Sequence, residues 1–352
     1  MKHRSASRFE SRRQPRGLVA TIARWTVIVL AWLVLLGLSA WAGTALFIDM
    51  PSAWHLPAAG AYAVFLVAIF FIARTRLLRM GLCLAGFATV LAWWLSLTPS
   101  NDRDWQRDVD RTAWAEVAGD DVVIHEVRNF SYRTETDYQP NWETRRYDLR
   151  QIQGADIFLT FWGSPWIAHP IVSFAFADGQ HVAFSVETRK VVGQDYSAFR
   201  GFFRQYELVY TVADERDVIR LRTNYRTAEE VYLYHSTATP TAARDIFLDY
   251  LRSVNALHER PQFYNAVTSN CTTNIRLHTS AAPGALPPWD WRLLLNGKSD
   301  EFAYQYGRIV TGGLAFDALK AQAHINDAAH AAGEAPDYSA RVRIGRVGFT
   351  QP

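Results

Sequence analysis

Three long apolar runs, Trp25–Ile48, Pro57–Ala73 and Met80–Leu97, dominate the N-terminal part of the chain, and none follows them. At 1.5 Å of helical rise per residue each is of the length that crosses a hydrocarbon layer about 30 Å thick. Beyond Leu97 the period shortens. Asp121–Phe130, Ile157–Trp162, Glu207–Val212 and Val231–Tyr234 are rich in β-branched and aromatic residues and predict strands. Trp166–Phe176 runs into the turn signal Asp178-Gly179. His181–Thr188 then alternates, with Val182, Phe184 and Val186 on one face and Ala183, Ser185 and Glu187 on the other, which predicts a hairpin. Ala242–Leu257 places Ile246, Phe247, Tyr250, Leu251 and Val254 at helical spacing. Phe316–Ala332 predicts one polar helix and Pro283–Pro288 a loop, while Trp105–Ala118 is too mixed to assign and Tyr132–Tyr147 is polar and aromatic. The expected fold class is α+β. Three N-terminal transmembrane helices (residues 1–98) precede an antiparallel-sheet domain (99–340), and 341–352 form a weakly ordered tail.

Charge fixes the expected orientation. Lys2, Arg4, Arg8, Arg12, Arg13 and Arg16 stand against a single acid, Glu10, before the first run, and Arg74, Arg76 and Arg79 fill the turn between the second and third. The turn from Asp49 to Leu56 carries no Lys or Arg. By the positive-inside rule the N-terminus is cytoplasmic, so after three spans everything past Leu97 lies outside, in the periplasm of a two-membrane bacterium. Trp41, Trp54, Trp93 and Trp94 fall near the outer span ends as interfacial anchors. Ala40-Trp41-Ala42 mimics a signal-peptidase site, but a signal peptide has a shorter apolar core and two further spans follow here. No acidic residue interrupts the spans, which argues for an anchor rather than an ion path. The net charge of +3, without basic residues interleaved with aromatics, excludes nucleic acid as the expected partner.

The chain has two cysteines, Cys83 inside the third run and Cys271 in Thr268-Ser269-Asn270-Cys271-Thr272-Thr273-Asn274-Ile275. Thr268 and Asn270 are good N-cap types and Ile275 and Leu277 begin an apolar pattern, so Cys271 is expected in the first turn of a helix. There the helix dipole stabilises a thiolate. In an oxidising compartment structural cysteines pair, and Cys83 cannot meet Cys271 across the topology, which makes Cys271 a candidate nucleophile. The competing reading is a small buried residue.

A thiol nucleophile needs a base held by a third polar group. His278 lies two helical turns past Cys271. His258, His324 and His330 are expected at helix surfaces, and His125 and His235 on strands. His169 and His181, at opposite ends of the predicted hairpin, remain as candidate bases. A three-residue hairpin loop would set Glu187 opposite His169, whereas a two-residue loop would put it on the other face. Arg189 is an alternative partner for Glu187. Arg128, Arg145 and Arg146 are candidates for an anionic headgroup or carboxylate. Neither HExxH nor a serine-hydrolase elbow occurs, and no metal or cofactor is expected.

The ordered stretches Pro99-Ser100-Asn101-Asp102-Arg103-Asp104-Trp105, Val127-Arg128-Asn129-Phe130-Ser131-Tyr132-Arg133, Ile167-Ala168-His169, Ser185-Val186-Glu187-Thr188-Arg189, Arg204-Gln205-Tyr206-Glu207-Leu208, Glu215-Arg216-Asp217-Val218, Phe263-Tyr264-Asn265 and Ser269-Asn270-Cys271-Thr272-Thr273-Asn274 resemble the Lnb N-terminal periplasmic domain family. That family is similar in logic to permuted papain-like enzymes of the NlpC and lecithin–retinol acyltransferase type. What the resemblance implies is a papain-like sheet domain with a cysteine-bearing helix. Cys271 would be the nucleophile, His169 the base with His181 as the alternative, and Glu187 the orienting carboxylate. Asn270, Ser185, Tyr132 and Arg128 would be the oxyanion or substrate contacts. The implied activity is a membrane-anchored thiol acyltransferase, with membrane phospholipid and lipoprotein as its partners at the inner membrane. The alternatives are a cell-envelope cysteine amidase or peptidase, and a non-catalytic envelope binding module.

Overall fold

The structure, a computed structural model, describes residues 17–349 except 267, 269–273, 277, 279–289 and 294. The chain divides into two compact units between Leu97 and Thr98.

The first unit is three helices, α1 (Leu18–Asp49), α2 (His55–Ile72) and α3 (Arg76–Ser96), each long and apolar enough to cross a membrane. α1 begins before the expected Trp25 because Leu18 to Ala23 continue the helix through Arg24. At one end of the unit Trp94 Nε1–H donates to Asp49 Oδ2 at 2.7 Å, tying the last residue of α1 to α3. At the other end Thr75 caps α3 through the Leu78 amide, and Arg79 donates to the carbonyls of Phe70 and Ala73 that close α2.

The second unit is α+β. Its sheet has the order β1 (Trp114–Ala118), β2 (Asp121–Arg128), β9 (Glu207–Ala213), β8 (His181–Arg189), β7 (Ala168–Phe176), β6 (Ile152–Trp162), β10 (Glu229–His235), with β5 (Trp142–Asp148) also on β2. All these pairings are antiparallel except β2 with β9. A small ribbon pairs β3 (Ser131–Tyr132) with β4 (Tyr138–Gln139) at the start of the polar, aromatic stretch. The central strands are covered on both faces, so β7, β8 and β9 are buried almost throughout.

On one face lies α5 (Pro240–Glu259), capped by Thr239 and started by Pro240. Its Phe247 and Tyr250 meet Phe174 and Phe184 edge-on or tilted, with ring centroids 5.0 to 5.8 Å apart. On the other face α4 (Glu215–Arg220) and the segment from Ile325 to Phe349 pack on Phe158, Ile171, Ala183 and Ala213, and the π-helical turn Leu221–Tyr225 continues α4 and reaches Glu187 through Arg222.

Two expectations need correction here. The polar helix expected over 316–332 is two helices, Phe316–Ala323 and Asn326–Ala332. They are separated where Ile325, fully buried, turns its amide to the carbonyl of Val231. Nor are residues 341–349 a tail. Val342 is fully buried, and the Arg343 guanidinium donates to both Glu215 oxygens (2.6 and 2.8 Å) and to Asp156 Oδ2 (2.7 Å). Ser173 completes the Glu215 shell and His235 binds Asp156. Burial alone would raise the Glu215 carboxyl, but the Arg343 charge, with His181 and Ser173, holds it far below the usual carboxylate range.

Removing Arg343 would take the guanidinium from two buried carboxylates, leaving Asp156 to His235 and Glu215 to Ser173. Arg343→Ala is expected to destabilise the outer unit by about 3–5 kcal/mol, read as a loss of about 10 °C in the thermal unfolding of the full chain in nanodiscs. A change near zero would mean that the C-terminal segment is dispensable after all.

Candidate active site

The β7–β8 hairpin has a three-residue loop, Ala177-Asp178-Gly179. Phe176 and Gln180 close it, and Gly179 takes the φ of +84° that the last loop position requires. This register pairs Ile171 with Ser185, and two residues further along it sets Glu187 level with His169. His169, Ser185 and Glu187 therefore share the sheet face that packs against α4 and the π-helical turn. Ser185 Oγ lies 2.7 Å from His169 Nε2 and 2.6 Å from Glu187 Oε1, and His169 Nε2 is 3.1 Å from the same carboxylate oxygen.

Arg222 reaches in from the π-helical turn, donating to Glu187 Oε1 at 2.9 Å and to Glu229 Oε2 at 3.2 Å. Burial by itself would raise the Glu187 carboxyl. The charge and hydrogen bond of His169, the Arg222 charge and the Ser185 hydroxyl outweigh it and hold Glu187 well below the ordinary range. An ionised Glu187 only accepts, so the Ser185 hydroxyl donates to it and takes a hydrogen bond from Nε2–H of His169. In a neutral ring this arrangement puts the proton on Nε2 and the lone pair on Nδ1.

The other sequence candidates are placed differently. His181 sits at the turn end of the hairpin, opposite Ala175, with Nδ1 on the Gly179 carbonyl. Burial lowers its pKa, and its charged neighbours are Glu215, Arg343 and Asp156 rather than Glu187. The alternative-base reading of His181 therefore places it outside the Glu187 cluster. Arg128 and Tyr132, expected at substrate, are both buried and turned onto Asp217. Arg128 binds it through Nε and Nη2, and the Tyr132 hydroxyl donates at 3.0 Å. They join β2 and the β3 ribbon to α4 and present no donor to a ligand. Arg189 is not the partner of Glu187; its guanidinium holds Val109 O, Asp110 O and Asn101 Oδ1.

His278 is buried, with Nδ1 on Asp249 and Nε2 on Tyr210, while its ring stacks on Tyr250 at 3.8 Å. Both of its nitrogens are spent on structure. The sequence reading missed Arg222. No spacing rule could have found it, since it enters from an unassigned turn 35 residues past Glu187.

Asn270 and Cys271 lie outside the described residues. The chain leading to them runs beside the start of β9. Leu208 N–H donates to Gln262 O, Tyr264 N–H to Tyr206 O and Ala266 N–H to Gly201 O. This is the end of the sheet at which β7 opens and β8 closes, the end that carries His169 and Glu187. Past the cysteine, Asn274, Ile275, Arg276 and His278 are helical, and Ile275 packs on the α5 side of the sheet. The start of β7 is braced by a second segment. Asn296 Oδ1 accepts from the Ala168 amide at 2.9 Å, and Gly297 N–H donates to Trp166 O. A Cβ on Gly297 would stand 2.5 Å from the Pro165 carbonyl oxygen, so the approach needs glycine.

Residues 138–297 match the family described as Lnb N-terminal periplasmic domain. The matched span takes in His169, Ser185, Glu187, Arg222 and Cys271 and ends at Gly297. Arg128 and Tyr132 precede it. Comparison with curated proteins and with solved structures gave no match. The chain is a membrane protein with a periplasmic domain.

Because the folded pKa of Glu187 is depressed, its contribution to stability is complete above the unfolded value of about 4.3 and is lost as pH falls through and below it. Glu187→Gln is therefore expected to flatten the pH dependence of stability between about pH 5 and pH 2. Acid unfolding of the full chain, followed by circular dichroism, checks this; an unchanged slope would count against an ionised Glu187.

Proposed function

We propose that the protein is a multi-pass inner-membrane thiol acyltransferase whose periplasmic domain works through Cys271 and His169. The observation that carries this reading is the His169–Ser185–Glu187–Arg222 chain. It holds Nε2 of the imidazole at the sheet end beside which Gln262, Tyr264 and Ala266, on the chain leading toward Cys271, make their backbone hydrogen bonds. Arg222 keeps Glu187 charged, Glu187 with Ser185 fixes the tautomer, and the imidazolium formed during the reaction gains a nearby counter-charge.

In the proposed reaction His169 Nδ1 takes the thiol proton and Cys271 Sγ attacks the acyl carbonyl of a phospholipid ester. The C–O bond breaks and the lysolipid oxygen leaves with the proton from His169, giving an acyl thioester on Cys271. An amine, as at a lipoprotein N-terminus, then attacks the thioester and gives its proton to His169. The C–S bond breaks, the amide forms and the thiolate returns. The backbone amide of Cys271, with Asn270 beside it, would hold the oxyanion. No cofactor enters these steps.

Mass spectrometry of the full chain in phospholipid tests the reading. Wild type is expected to carry an acyl mass on Cys271. Cys271→Ser should carry none, and His169→Ala should acylate slower by roughly 10²–10⁴-fold, with circular dichroism of both variants unchanged. Acyl transfer at the wild-type rate by Cys271→Ser would refute the thiol mechanism.

A further inference from the structure

The exposed apolar side chains of the periplasmic domain are not scattered. Among the described residues, Val117 and Ile344 lie elsewhere in the domain, and Tyr306 packs on Phe302; the other large ones belong to the connections at one end of the sheet. Trp162 ends β6, and Trp166 and Ile167 belong to the β6–β7 connection, which leads directly into His169. Val192, Phe199 and Phe202 belong to the β8–β9 connection, which leaves just after Glu187 and holds the Ala266 amide through Gly201. Trp291 and Leu295, on the segment that braces Trp166, add to the first group. Phe199 is 59 % exposed and Trp166 48 %, although the strands between them are buried. A soluble surface rarely gathers so much aromatic area in one place without something to cover it.

The composition matches a lipid interface. Aromatics alternate with cations that stay wet while the rings go in: Lys298 lies over the Trp166 ring, and Arg200 precedes Phe202 and is exposed. Connectivity points to the same occupant. Only Leu97, Thr98 and Pro99 separate α3 from Ser100, whose amide bonds Glu207 at this end of the sheet. The bilayer in which the chain is anchored is therefore the surface these loops meet at the highest effective concentration.

We propose that the β6–β7 and β8–β9 connections form a paired aromatic wedge that dips into the lipid surface and opens the His169 end of the sheet toward it. On the acyltransfer reading, the donor then enters from the bilayer and not from water. The docking itself does not depend on that reading.

Spin labels report depth without catalysis. In the full chain carrying Cys83→Ala and Cys271→Ser, labels are placed through Trp166→Cys, Phe199→Cys and, as control, Val117→Cys. The protein is reconstituted in vesicles of phosphatidylethanolamine and phosphatidylglycerol. Oxygen concentrates in lipid and a nickel chelate in water, so the oxygen-to-nickel accessibility ratio at 166 and 199 is expected to exceed that at 117 several-fold. Equal ratios would place the loops in water, and low accessibility to both reagents would mean that protein covers them; either result overturns the wedge. On an otherwise native chain, Trp166→Ser with Phe199→Ser is expected to slow acylation from vesicles by about tenfold, while a water-soluble thiol reagent still labels Cys271 at the wild-type rate. Wedge and thiol chemistry thus fail separately.

Discussion

A carboxylate on a sheet face that is itself covered must find a cation or give up its charge. That constraint organises the second face of the periplasmic sheet. Arg343 meets Asp156 and Glu215, Arg128 meets Asp217, and Arg222 meets Glu187 and Glu229. Each pairing draws a different piece of chain onto the strands: the C-terminal segment, the N-terminal strands and the π-helical turn. Apolar packing on the α5 face supplies burial without direction, whereas these forked guanidinium bonds demand one arrangement.

The same constraint separates His169 from the other histidines. His278 is held at both nitrogens by Asp249 and Tyr210, which leaves it a structural strut between α5 and β9. His235 serves Asp156, and His125 stacks on Trp114 between Glu116 and Thr144. At His169 the carboxylate and the hydroxyl both converge on Nε2.

Local pattern carried much of the fold. The three apolar runs are helices, and most strands lie within a few residues of where β-branched and aromatic residues placed them, because period and burial are local properties. The hairpin was legible down to its consequence: Asp178-Gly179 marked the turn, and a three-residue loop was the condition for Glu187 to face His169. Charge misled where it looked like surface. Arg128 reads as a substrate contact and Arg343 as part of a weakly ordered tail, yet each is buried against a carboxylate far away in sequence.

The chain's own pattern was enough for an anchored α+β protein, a hairpin with His169 at its open end, and a lone outer cysteine, since hydropathy period, turn chemistry and charge asymmetry act over a few residues. Arg222 on Glu187, Ser185 between carboxylate and imidazole, Arg343 closing the far side of the sheet, and the gathering of exposed aromatics at one end all depend on strands brought together in the order β9-β8-β7-β6-β10. Long-range pairing of that kind leaves no periodic trace in sequence, because the partners meet only after the sheet has formed.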